Sequence, residues 1–291
     1  MFTRSGSADQ LELAEVPRPA PGPNEILVKV HTATVTRGDI VLRKLPVLLW
    51  RLFGFRRKTM LGHEFAGEIE AVGADVTLFK EGERVFGTTT GLTTGAYAEY
   101  ICVPEEGVLA TVPPNISYEE AAPVPIGGLT ALHFLREGDV GSGKTVLVYG
   151  ASGSVGTFAV QLATHFGAHV TGVCSTSNVE LVKFLGADEV IDYTKQDFTE
   201  TGRIYDIIFD DVGKSSPRRD KRVLAEDGAY VSVRSSTKEK TEDLLVLRDL
   251  METGEVKAVI DRRYSLEQIP EAHRYVEKGH KRGNVVITVA S

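Results

Sequence analysis

Residues 145–156, TVLVYGASGSVG, lead straight into TFAVQLATHFGA, and no other stretch restricts the fold as much. An apolar strand ends at Tyr149, the chain turns sharply at Gly150, and helical periodicity starts within a few residues. Gly153 has no side chain where a diphosphate would approach the backbone, and Gly156 lets the helix pack closely on the strand. The helix start adds free N–H groups and partial positive charge. Gly150, Ala151, Ser152, Gly153, Ser154, Val155 and Gly156 are therefore read as a cofactor loop. The plain alternative is an ordinary tight turn, and the flanking sequence argues against it.

From Lys144 onward, strand and helix patterns alternate. Strand-like runs cover 145–149, 169–174, 189–193 and 205–210, with amphipathic runs over 155–166 and 178–185. A fifth strand over 228–234 follows a helix around 216–225. This rhythm predicts a doubly wound parallel sheet, an α/β fold. In a site that prefers NAD, the second strand ends in a carboxylate that holds the ribose 2′-hydroxyl. Here it ends in Val173, Cys174, Ser175, Thr176, Ser177 and Asn178, with no carboxylate, which favours NADP(H) over NAD(H).

Up to about Ser117 the pattern differs: short β-branched runs over 25–34, 68–72, 84–86 and 96–103, broken by glycine and proline, predict antiparallel β structure. Beyond Arg234 come a polar stretch, a helix over 243–253, a strand within VKAVIDRRYSL, a helix over 267–278 and a strand over 285–289. The last strands are expected to rejoin the first domain. The division is 1–117, completed by about 254–291, around a nucleotide-binding domain at 118–253, and 291 residues suffice for two such domains.

The net charge of −7 argues against nucleic acid as a partner, and the short basic stretches 51–58 and 218–222 are read as solvated faces. The N-terminus has no signal-like apolar core, and no run approaches the roughly 18 apolar residues of a membrane span. The cytoplasm is the expected compartment. Two cysteines, Cys102 and Cys174, give neither a disulfide framework nor a cysteine-rich zinc knot, and both read as buried thiols.

Gly62, His63 and Glu64, followed by Gly67, Gly73 and Val76, resemble the GHE-x2-G-x5-G-x2-V signature of the medium-chain dehydrogenases/reductases. GAYAEYICVPEEGVLATVPPNISYEEAAPVPIGGLTAL, GASGSVG, FLGADEVIDYTKQDF, YDIIFDDVGK and HRYVEKGHKRGNVVITV are similar to the quinone oxidoreductase branch of that superfamily, so the resemblance spans nearly the whole chain. It implies a GroES-like antiparallel β domain joined to a Rossmann domain. It also implies hydride transfer between NADPH and a small molecule: a carbonyl, quinone or activated alkene.

The signature is shared with zinc alcohol dehydrogenases, whose catalytic metal takes three side chains. By the resemblance, His63 stands at the zinc-binding histidine, but Thr36 and Ile126 stand where cysteines would be, and the four-cysteine lobe is missing. A zinc-free enzyme is implied. His63 then reads as a hydrogen-bonded structural histidine or a relic lining the cleft. Thr36 and Asp39 are candidates to line the same cleft, with His63 a more distant proton donor or relay; turn and core chemistry is the alternative for all three. The resemblance further puts Thr130 beside the nicotinamide, Tyr193 near the adenine ribose, and Asn178 where relatives often carry a basic residue for the 2′-phosphate.

Two departures stand out. The path between Val233 and the helix near Asp243 is short, where relatives carry about one more helix and the strand that ends the Rossmann sheet. That strand often pairs across a dimer axis, so a homodimer is left open. The apolar and basic segment VLRKLPVLLWRLFGFRRK is read either as a flap over a lipophilic pocket or as a helix packed on the core or a partner. The leading function is an NADPH-dependent, metal-free reductase; an NADP(H)-dependent alcohol dehydrogenase and a nucleotide-binding sensor or scaffold with little turnover are the rivals.

Overall fold

The computed structural model describes residues 6–45, 60–92, 95–213 and 217–289. Contacts divide the chain into two units, Met1–Ile126 with Ile260–Ser291, and Gly127–Val259. Most of the segment read as a flap or packed helix lies outside the described residues, as does the basic stretch 51–58.

The first unit begins with β1 (Glu25–Thr34), α1 (Arg37–Lys44), β2 (Glu64–Val72), β3 (Arg84–Thr88), β4 (Tyr100–Pro104), β5 (Leu109–Thr111) and the short α2 (Tyr118–Ala121). α3 (Val124–Glu137) leads into the second unit, which holds β6 (Thr145–Tyr149), α4 (Ser154–His165), β7 (His169–Cys174), α5 (Val179–Phe184), β8 (Glu189–Asp192), β9 (Tyr205–Asp210), α6 (Pro217–Asp220), β10 (Leu224–Ser232) and α7 (Thr241–Glu252). The chain then returns to the first unit as β11 (Ile260–Ser265), α8 (Ile269–Glu277) and β12 (Asn284–Thr288).

In the first unit β1 pairs antiparallel with β2, β4 and β12, so the C-terminal strand closes onto a strand laid down more than 200 residues earlier. Ile26, Val28, Val30, Phe65, Val85 and Ile287 fill the core beneath it. The second unit is a five-stranded parallel sheet in the order β10, β9, β6, β7, β8. β6 is buried along its middle, as a parallel strand covered on both faces must be. Leu147, Val173, Ile191 and Ile208 pack with Phe198 and Tyr205 in its core. Among the described residues the sheet stops at β10, and residues 233–240 run directly to α7.

Among the boundaries that differ from the sequence reading, two have a clear physical cause. The fifth strand starts at Leu224, not 228, and the helix before it shrinks to Pro217–Asp220. Leu224 pairs with Tyr205, and a bulge around the exposed Glu226 and Asp227 gives β10 the look of a turn in sequence. The run 96–103 is strand only from Tyr100, because the Ala96 and Tyr97 N–H groups donate instead to the carbonyls of Gly62 and Leu61 (3.0 and 2.9 Å). Cys102 and Cys174 are free thiols, both pushed up to about 11 by burial. No helix of the described residues is long and apolar enough to cross a membrane.

Candidate functional site

The glycine loop of the second unit joins a left-handed turn to a helix start packed close on the strand. Gly150 sits at φ +94°, a conformation that L side chains rarely adopt, and turns the chain out of β6. Its N–H and that of Ala151 both donate to Val173 O at 3.1 Å, which ties the loop to the end of β7. A Cβ on Gly156 would lie 2.1 Å from Gly150 O, so only glycine lets α4 start this close to the strand. The N-cap of α4 is Gly153, which supplies no side-chain acceptor, and the first-turn amides must find theirs elsewhere. These are the features a dinucleotide diphosphate requires, and the residues fit it. α3 packs beside the loop: a Cβ on Gly127 would come within 3.2 Å of Ser154 Oγ, and the half-buried Thr130 follows one turn later.

At the end of β7, the buried Asn178 donates through Nδ2 to the hydroxyls of Ser152 (3.0 Å) and Ser175 (3.2 Å). Its Oδ1 is buried with no hydrogen-bond partner among the described residues. Asn178 thus links the glycine loop to the end of β7 rather than facing solvent. Thr176 donates to Asp192 Oδ2 at 2.5 Å, and Lys195 Nζ lies 3.2 Å from the same oxygen. Hydrogen bonds from Thr176 and Thr194 hold the Asp192 carboxyl well below the usual carboxylate range. Tyr193 is half exposed beside it, its N–H on Cys174 O. The end of β7 carries no carboxylate of its own, but Asp192 from β8 stands beside it, a neighbour the sequence reading missed.

The first unit brings Thr36, Asp39 and His63 together. Thr36 caps α1 in a reciprocal capping box with Asp39: its hydroxyl and N–H reach Asp39 Oδ2 at 2.7 and 2.9 Å. Oδ1 accepts from Gly62 N at 2.9 Å and meets His63 Nδ1 at 2.8 Å. Gly62 adopts φ +99°, which aims its N–H at that oxygen, and Thr89 secures the turn through Gly62 O (2.7 Å) and His63 O (2.7 Å). Burial pushes the Asp39 carboxyl up, but the His63 imidazole and its hydrogen bond more than reverse this, leaving it well below the usual range. A fully buried ionised Asp39 only accepts, so Nδ1 carries the proton on His63.

Sequence reading missed the residues around this pair. Glu64 is buried, takes Thr34 Oγ1 at 2.5 Å and Ile126 N–H at 2.7 Å, and is nonetheless pushed up to about 7 by burial. Tyr97 donates to Thr34 O at 3.1 Å and stacks edge-on against His273, 5.7 Å between centroids. His273 is fully buried, brought down to about 4 by burial, and neither ring nitrogen has a hydrogen-bond partner among the described residues. Arg43, also fully buried, reaches Glu277 Oε2 at 2.7 Å. The GHE motif marked the spot, but α8 brings His273 and Glu277 to it from the far end of the chain.

Among the described residues, no three His, Cys, Asp or Glu side chains converge closely enough to hold a metal ion. The family models that match are the alcohol dehydrogenase GroES-like domain over residues 22–114 and the zinc-binding dehydrogenase domain over residues 154–278. The chain is 34% identical to the 2-methylene-furan-3-one reductase of Solanum lycopersicum, over 98% of this chain and 77% of the relative. It is 30% identical to the chloroplastic NADPH-dependent alkenal/one oxidoreductase of Arabidopsis thaliana, over 99% and 78%. The solved quinone oxidoreductase of Coxiella burnetii superposes with a TM-score of 0.87 at 27% identity, covering 99% of this chain and 98% of that one. The chain belongs to the medium-chain dehydrogenase/reductase superfamily, and within it to the quinone oxidoreductase-like enzymes that use a reduced nicotinamide cofactor.

Proposed function

We propose that this enzyme uses NADPH to reduce a quinone, enone or similar reactive carbonyl by direct hydride transfer, without a metal. The glycine loop carries the reading: an α4 start whose N-cap has no side chain, a Gly156 that admits no Cβ and a Gly150 in the left-handed region suit the close approach of a diphosphate. NADPH supplies the hydride. The hydroxyls of Ser175 and Thr176 and Lys195 gather at the end where a 2′-phosphate would bind, with Asn178 holding Ser175 through Nδ2 and Tyr193 beside them. Asp192 in the same group opposes the phosphate, so the preference for NADPH over NADH is modest, about tenfold. Thr130, one turn into α3 from the loop, is assigned to the nicotinamide end.

Reduction leaves negative charge on the substrate oxygen, and that oxygen takes a proton. His63 is assigned as the donor from Nε2, with Asp39 fixing Nδ1–H and stabilising the charged ring, and Thr36 fixing Asp39. The donor set supports a metal-free step. Thr36 Oγ1 is spent on Asp39 and Ile126 is aliphatic, so of these three positions only His63 Nε2 could serve as a ligand, whereas catalytic zinc takes three protein ligands.

The test uses NADPH carrying deuterium at C4 with a panel of quinones and enones, and NADP+ with a panel of alcohols, before and after dialysis against a chelator. The expected results are deuterium on the reduced carbon of an enone, a rate indifferent to chelation, and a kcat reduced about 100-fold in His63→Gln. Loss of rate on chelation would reject the metal-free step. Activity confined to alcohols would make the protein an alcohol dehydrogenase, and binding without turnover would make it a nucleotide sensor.

A further inference from the structure

The anion seat at the start of α4 is not bare. The N–H of Gly156, in the first turn, donates to Asp211 Oδ2 at 3.1 Å. The same oxygen stands 2.9 Å from the Cβ position of Gly153 and 3.6 Å from that of Gly150. One carboxylate thus covers the face of the loop that the missing side chains leave open. It is firmly placed: the Asp211 N–H donates to Tyr149 O at 3.0 Å, at the end of β6. Val212 Cγ2 lies 2.8 Å from the Cβ position of Gly150. The buried Asp210 accepts through Oδ1 from Val212 N (3.0 Å) and Gly213 N (2.9 Å), and through Oδ2 from the Tyr230 hydroxyl (2.9 Å). Asp210 therefore pins the turn to β10 while Asp211 faces the loop.

We infer that Asp211 is a resident anion in the diphosphate seat, competing with the nucleotide and setting its affinity and exit rate. This rests on reading the glycine loop as a dinucleotide site. A helix start offers a fixed amount of partial positive charge and a few N–H groups, and a carboxylate on one of them uses both. An arriving diphosphate must displace Asp211 or lie beside a like charge in partly buried surroundings, where screening is weak. Bound nucleotide is therefore held less tightly than the loop alone would hold it, and it leaves faster. Such a device suits an enzyme whose turnover is limited by cofactor release.

The experiment compares the wild type with Asp211→Asn, which keeps an oxygen acceptor for Gly156 N–H and removes only the charge. Asp249→Asn, on the exposed face of α7, controls for the change in net charge. NADPH and ADP, the latter a diphosphate without nicotinamide, are titrated against each protein, and NADPH release is timed by stopped flow. The expected result is about tenfold tighter binding of both ligands to Asp211→Asn, slower release, and no change in Asp249→Asn. Equal or weaker binding to Asp211→Asn, or the same tightening in Asp249→Asn, overturns the inference. If neither wild type nor Asp211→Asn binds either ligand, the dinucleotide reading of the loop itself fails and the inference falls with it.

Discussion

Asp39 is the residue on which the first unit's polar cluster turns, since four hydrogen-bonding groups converge on its buried carboxylate. Asp39→Ala orphans the Thr36 and Gly62 N–H groups together, and is expected to lower stability by about 3 kcal/mol in urea titrations. At the ribose end, Asp192→Asn is expected to tighten NADPH several-fold and leave NADH nearly unchanged, whereas Lys195→Ala does the reverse for NADPH. Separate Kd measurements for the two cofactors check both variants. These residues were unequally legible in sequence. Thr36 and Asp39 form a capping box three residues apart, and His63 lies in a recognisable motif, so local pattern exposes all three. Asp192 and Asp211 act on loops distant in sequence, and they become neighbours only once the order of β9, β6, β7 and β8 is known.

At the scale of elements, the β6–loop–α4 unit was legible nearly to the residue, because strand, turn and helix signals are adjacent and each has a steric reason. Gly156→Ala tests that reason. A methyl group 2.1 Å from Gly150 O would force α4 off the strand, with an expected loss of about 3 kcal/mol and of nucleotide binding. A fold that stays stable and binds normally would contradict the packing described for the loop. β10 was less legible because its bulge presents two exposed acidic residues and a glycine inside a strand, which sequence reads as a turn. The first turn of the run 96–103 was likewise misjudged, since its N–H groups serve the Gly62 turn instead of a neighbouring strand. Both failures have one cause: local propensity yields where a distant segment claims the backbone hydrogen bonds.

For the whole molecule, two buried groups of the first unit give opposing pH dependences. Glu64, raised from 4.5 to about 7, holds a proton in the folded state that the unfolded chain has released. It therefore adds stability as pH falls from about 7 to about 4.5. His273, lowered from 6.5 to about 4, refuses a proton that the unfolded chain accepts, and costs stability as pH falls from about 6.5 to about 4. Each contribution is on the order of 3 kcal/mol when complete. The two oppose each other between about 4.5 and 6.5, and removing either one exposes the other in the urea midpoint. Glu64→Gln should uncover a fall in stability on acidification, and His273→Leu a rise. Below about 3.8 the unfolded chain takes up a proton at Asp39 that the folded protein refuses, and stability drops.

The transfer of a hydride from NADPH to an acceptor is the reaction proposed for this enzyme. It is tested most directly by following oxidation of NADPH and of NADH at equal concentration, with a quinone as acceptor. Acceptor-dependent turnover is expected, with kcat/KM about tenfold higher for NADPH than for NADH. Tight NADPH binding with no acceptor-dependent oxidation would contradict it.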